Sequence, residues 1–126
     1  MLIMKEESKN WLMQAEADFR TAENSLKSKD YYASVFWSQQ AVEKCLKALI
    51  IEKEGELIKI HDLVILGRRA GLPLELMSKC EKLSKVYTES RYGVLDEIPA
   101  KKFTKENAEE FLLISEEVLE WCRKKI

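Results

Sequence analysis

An all-α fold, a compact up-and-down bundle of about five helices, is what three features of this sequence predict. Ala, Glu, Lys, Leu and Arg make up about half of the 126 residues, the enrichment that marks long helices. Four glycines and two prolines are too few to punctuate a β-rich chain. Apolar side chains recur at steps of three and four along most of the length, the period of a helix with one buried face. Domains take about 100 to 200 residues, so residues 1–126 are read as one helical unit.

The first helix is expected from about residue 5 to residue 27, where Trp11, Ala15, Phe19, Ala22 and Leu26 share a face. Ser28-Lys29-Asp30 breaks that pattern, and Asp30 is a suitable N-cap for a second helix from about Tyr31 to Glu54. So short a connection makes the two helices antiparallel neighbours. Gly55 ends the second helix; His61 or Asp62 opens a shorter third that stops at Gly71. Pro73 suits the first turn of a fourth helix whose buried stripe is Leu72, Leu76, Cys80, Leu83 and Tyr87. Arg91-Tyr92-Gly93 and Pro99 mark a long loop, after which Thr104 caps a fifth helix running to the end.

Helix two stands out at roughly 100° per residue. Tyr31, Val35, Val42, Leu46, Leu49 and Ile50 cluster on one side, and Trp37, Ala41, Cys45 and Ala48 extend the apolar arc past half the circumference. A surface helix needs a stripe of only about 100°, so helix two is expected at the centre. Gln39 falls inside the apolar arc and should be buried with its amide satisfied. Gln40, Glu43, Lys44 and Lys47 form the remaining polar wedge. Helix five is also broadly apolar, from Ala108 and Phe111 to Trp121 and Cys122, and the surplus over one stripe predicts a two-fold homodimer.

Charge is balanced at 21 basic and 22 acidic side chains, which leaves no positive field for general nucleic-acid binding. Cys45, Cys80 and Cys122 form no CxxC pair and read as reduced core thiols in a cytoplasmic protein. The apolar start, Met1 to Met4, runs at once into Lys5, Glu6 and Glu7, so neither a signal peptide nor a membrane span is expected. No metal and no other cofactor is expected, because a single histidine cannot build a His-rich site and the phosphate-binding glycine loops are missing.

A few polar groups remain as candidates for chemistry. His61 is the sole side chain whose ordinary pKa suits proton transfer near neutrality; alternatively His61 and Asp62 satisfy free amides in the first turn of helix three. Glu43 and Lys47, at i and i+4, read either as a solvated salt bridge or, with Lys44 and Arg91, as an anion-binding patch. Arg91-Tyr92, a cation beside an aromatic, suits an anion or a stacked base. Gln40, Glu43, Lys44, Lys47, His61, Asp62, Arg91 and Tyr92 are therefore the expected binding residues, and none is assigned a catalytic role.

Trp11 with Ala15-Glu16-Ala17-Asp18, Asp30-Tyr31-Tyr32-Ala33, Phe36, Gln39-Gln40-Ala41, Glu43-Lys44, Leu46-Lys47-Ala48, His61-Asp62-Leu63 and Ser90-Arg91-Tyr92 together resemble a HEPN domain. The resemblance implies a compact helical bundle, frequent homodimers, and pairing with a small nucleotidyltransferase. It also implies nucleotide binding or metal-independent RNA cleavage. RNA-cleaving members carry an Arg followed a handful of residues later by a His. Here the nearest Arg before His61 is Arg20, and no His follows Arg68, Arg69, Arg91 or Arg123. The expectation is thus a subunit that binds a nucleotide or a nucleotidyltransferase. Against it stand a ribonuclease toxin that brings His61 and Arg91 together across a cleft, and a bare helical adaptor.

Overall fold

The computed structural model describes residues 4–91 and 98–126. Its helices are α1 (Glu6–Lys27), α2 (Tyr31–Glu54), α3 (Leu63–Ala70), α4 (Leu74–Arg91), α5 (Pro99–Lys102) and α6 (Lys105–Lys125). The fold is all-α, as the composition and periodicity predict, with one helix more than the five expected. The addition is α5, a single turn started by Pro99 at its first position, where the fixed φ of proline is already helical. The final helix, expected as the fifth, is α6.

Helix ends follow local chemistry, with one correction. Asp30 holds the N-cap position of α2, but its side chain makes no capping bond there. It accepts instead from the Ser28 hydroxyl at 2.7 Å, because the chain turns through Lys29 at φ 67°, a left-handed residue that tightens the α1–α2 connection. Asp62 does cap α3, accepting from Val64 N at 2.8 Å and Ile65 N at 3.3 Å. Thr104 and Asn107 cap α6 reciprocally, each side chain accepting from the other's backbone N–H at 3.1 Å. Gly55 closes α2 at φ 80°, the left-handed position at which glycine is favoured.

Helix α2 lies in the middle and touches each of the other helices. From Ser34 to Ile51 none of its residues is exposed. Val35, Val42, Leu46, Leu49 and Ile50 enter a core completed by Phe19, Leu63, Leu66, Leu83, Phe111, Val118 and Leu119. Two serines fasten it to its neighbours: Ser34 donates to Ala22 O of α1 at 2.8 Å, and Ser115 of α6 donates to Ser38 O at 3.0 Å. In α4, Cys80 and Leu83 are buried and Leu76 half-buried as expected; the side chain of Tyr87 lies outside the described residues.

The broad apolar face of α6 is covered by α1, α2 and α4 of the same chain. Ala108, Phe111, Ile114, Val118, Leu119 and Cys122 are all buried there. The surplus that the sequence reading assigned to a second copy is thus used within the protomer. Among the described residues no helix is long and apolar enough to cross a membrane.

Candidate functional site

The polar wedge of α2 does not face solvent as a whole. Gln40 and Lys44 are half-buried, while Glu43 is 3% and Lys47 5% exposed. An i, i+4 pair ordinarily reads as a solvated salt bridge, and here that expectation is corrected. The cause is long-range: the segment from Gly55 to Asp62 folds back over α2, with Ile58 and Ile60 packed against the core, and Trp11 of α1 closes the other side. The Lys47 ammonium lies 5.8 Å from the centre of the Trp11 ring, close enough for a cation–π contact.

Glu43 is the hub of this region. Its Oε2 accepts from Lys47 Nζ at 2.9 Å and lies 2.9 Å from His61 Nδ1. Its Oε1 accepts from Gln39 Nε2 at 3.3 Å. Gln39 is fully buried, as its place in the apolar arc predicts, and its own carbonyl accepts from Gln40 Nε2 at 2.7 Å. A carboxylate already held by an ammonium can only accept, so His61 must carry a proton on Nδ1. That fixes the orientation of the ring. The His61 side chain is 59% exposed although the carboxylate behind it is 4% exposed. A buried anion thus supports an imidazole at the surface.

A second buried carboxylate neutralises the other wedge lysine. Lys44 Nζ reaches Asp18 Oδ2 of α1 at 2.5 Å, and Asp18 Oδ1 accepts from Gln14 at 2.9 Å. Lys44 also borders a pocket of about 370 Å³ lined by Asn10, Trp11 and Gln14. Both wedge lysines are therefore ion-paired inside the protein, which weakens the positive field that an anion patch of Lys44, Lys47 and Arg91 needs.

Asp62 is engaged as the cap of α3. It also lines a cleft of about 570 Å³ between α3 and α4 with Arg68, Glu81, Ser84 and Lys85. Ser84 ties the two helices by accepting from Leu63 N at 3.1 Å. Arg91 is the last residue of α4, seven positions beyond Ser84, and so lies on the same helical face about 10 Å further along. Its side chain, and all of Tyr92, lie outside the described residues. The structure brings Gln40, Glu43, Lys47 and His61 into one hydrogen-bonded group, with Lys44 beside it and Asp62 next to His61. Sequence reading missed Asp18, Gln14 and Trp11, which complete the surroundings. Trp11 carried a signal, as an aromatic on the buried stripe of α1, and both Trp11 and Asp18 stand among the motif residues of the resemblance, which did not mark them as part of the site.

Among the described residues no three His, Cys, Asp or Glu side chains are grouped to hold a metal ion. Burial pushes the Cys80 thiol up to about 12 and raises Cys45 well above the ordinary thiol range, so neither is disposed to act as a nucleophile in the closed fold.

Residues 8–125 match the HEPN domain family. "Putative toxin MJ1304" of Methanocaldococcus jannaschii is 33% identical over 128 residues, spanning 90% of this chain and 84% of that protein. The crystal structure of TT1696 from Thermus thermophilus superposes with a TM-score of 0.88 at 29% identity, over 97% of this chain and 100% of that one. ST0689, described as an archaeal HEPN homologue, superposes with a TM-score of 0.80 at 27% identity, over 93% of this chain and 95% of that one.

Proposed function

This chain belongs to the HEPN domain family, and on that premise we propose that it is the partner-binding helical subunit of a two-protein toxin–antitoxin pair. Its partner is a small cytoplasmic nucleotidyltransferase, together with the nucleotide that such an enzyme handles. The observation that carries this reading is the surface imidazole of His61 held at Nδ1 by buried Glu43. The ring is held in one orientation at the surface, and the chain has no second histidine to act as its catalytic counterpart. The proposed contact residues are Gln40, Lys44 and His61, with Arg91 and Tyr92 added from the sequence alone. Glu43 and Lys47 lie beneath the first three and set their arrangement, and Asp62 fixes the backbone next to His61. The relative that bears a toxin name supports the toxin–antitoxin setting. A homodimer belongs to the same proposal; with the faces of α2 and α6 covered, it would use the exposed Leu74, Leu113 or Met13.

Co-purification with a small nucleotidyltransferase from the same organism tests the reading, combined with titration by nucleoside triphosphate. The expected result is a stable complex whose dissociation constant rises about tenfold or more in His61→Ala, equivalent to about 1.4 kcal/mol. Binding of neither the enzyme nor the nucleotide would defeat the proposal. Molar mass in solution tests the dimer: a value near the 14.7 kDa of one chain refutes it.

The second reading, a ribonuclease toxin, draws on the same toxin-named relative. It predicts metal-independent RNA cleavage that disappears in His61→Ala with folding unchanged. The first reading predicts no cleavage attributable to His61.

A further inference from the structure

Two cysteines that the proposed site does not use lie against each other in the core. Cys45 of α2 and Cys122 of α6 are 77 positions apart in sequence, yet their sulfurs are 3.2 Å apart. Both residues are wholly buried. We propose that Cys45 and Cys122 are a redox modification site, a thiol pair that closes to a reversible disulfide and clamps the last helix to the central one.

The geometry favours this pair. A disulfide needs its sulfurs at about 2.05 Å, so from 3.2 Å closure requires about 1 Å of approach, a distance of the size that side-chain rotation supplies. Sulfur atoms already in contact lose little freedom on joining. The third thiol, Cys80, is buried in the same core cluster, which makes Cys80–Cys122 the competing product.

Access decides when the reaction occurs. In the closed fold both sulfurs are wholly buried and no oxidant reaches them, and burial raises the Cys45 thiol well above its ordinary range. Cys122, however, lies in the last turn of α6, which ends at Lys125. Helix termini open locally at small cost compared with global unfolding. Opening of that turn admits hydrogen peroxide and water to the Cys122 sulfur. The Cys122 thiolate then attacks one peroxide oxygen; the O–O bond breaks, leaving a sulfenic acid and releasing hydroxide, which takes the thiol's proton as water. Cys45 attacks the sulfenic sulfur; the S–S bond forms, the S–O bond breaks, and the second oxygen leaves as water. Two thiols lose one electron each, and the peroxide gains two.

The product joins helices distant in sequence, so it should stabilise the fold mainly by restricting the unfolded chain. Incubation of the purified protein with hydrogen peroxide, followed by quenching, alkylation under denaturing conditions and peptide mapping, tests this directly. The expected result is one alkylated cysteine, Cys80, and a Cys45–Cys122 cross-linked peptide. The midpoint of thermal unfolding should rise by about 10 °C and return on treatment with dithiothreitol. Cys80→Ser should keep the cross-link and Cys122→Ser should lose both cross-link and shift. Three alkylated cysteines after oxidation, a Cys80–Cys122 peptide, or sulfinic acid at Cys122 without a disulfide would each overturn the proposal. The wild-type peptide map decides the matter even where a serine variant fails to fold.

Discussion

Ion pairs occur in two settings in this protein, and the same residue types carry different weight in each. Around His61 the carboxylates of Glu43 and Asp18 are buried, at 4% side-chain exposure, beneath the lysines they neutralise. On the outer surface Glu54 meets Arg69, Glu117 meets Lys79 and Glu16 meets Arg123, with side chains between 33% and 46% exposed. Water competes for every atom of the outer pairs and salt screens them, so they add little to stability. The inner carboxylates and Lys47 have lost most of their water. Their value lies in mutual dependence, since each charge is tolerable only while its partner is present. A face built this way keeps His61 in one orientation, and the outer pairs hold nothing in place.

Removal of the hub should break the inner setting most severely. Glu43→Ala leaves the Lys47 ammonium buried and uncompensated, and should destabilise the protein by about 3–5 kcal/mol. Denaturant unfolding measures it. Joint replacement, Glu43→Met with Lys47→Met, should recover most of that loss while still releasing His61, which an NMR titration of its imidazole would register. If the double variant is as unstable as the single one, packing and not charge is what Glu43 supplies.

Gln39→Ala comes next. It removes the amide that bridges Gln40 and Glu43, and should cost about 1–3 kcal/mol, the usual range for a buried polar group left unsatisfied. Asp18→Asn should cost less than Glu43→Ala in the same unfolding assay. Its partner Lys44 is 20% exposed and can turn its ammonium to water.

The outer pairs define the small end. Arg69 bonds hold the Glu54 carboxyl below its usual range, so whatever stability the pair gives is present above the ordinary carboxylate pKa and fades as pH falls through the lowered value. Glu117 raises Lys79, so that contribution is present below the ordinary lysine range and fades as pH rises through the raised value. Arg69→Ala and Lys79→Ala should leave the unfolding midpoint unchanged in 1 M salt. A clear shift there would erase the contrast between the two settings.

Much of this contrast was legible in the sequence only from one side. The angular position of Gln39 sufficed to predict its burial, because a residue inside a wide apolar arc is buried whichever helices surround it. Glu43 and Lys47 sit at the edge of that arc, and their fate depended on what covers the edge. The cover comes from Trp11 and from the segment ending in His61, contacts 18 to 36 positions away that helical periodicity does not encode. Asp62 and Thr104 were readable as caps because capping is local. Asp30 was not, since the left-handed Lys29 turns it toward Ser28. The turn of α5 is too short to show a period. The resemblance to the HEPN family held, for its motif residues are mostly those of α2 and its immediate cover.

The central place of α2 has a kinetic side. Each other helix makes contacts with α2, so no group of helices can complete its core before α2 is in position, and α2 cannot leave without exposing all of them. Hydrogen exchange should therefore be slowest at the amides between Ser34 and Ile51, opening only with the whole molecule, while the ends of α1 and α6 exchange by fraying. Transient opening at the chain's extremities can proceed while the scaffold beneath His61 stays shut.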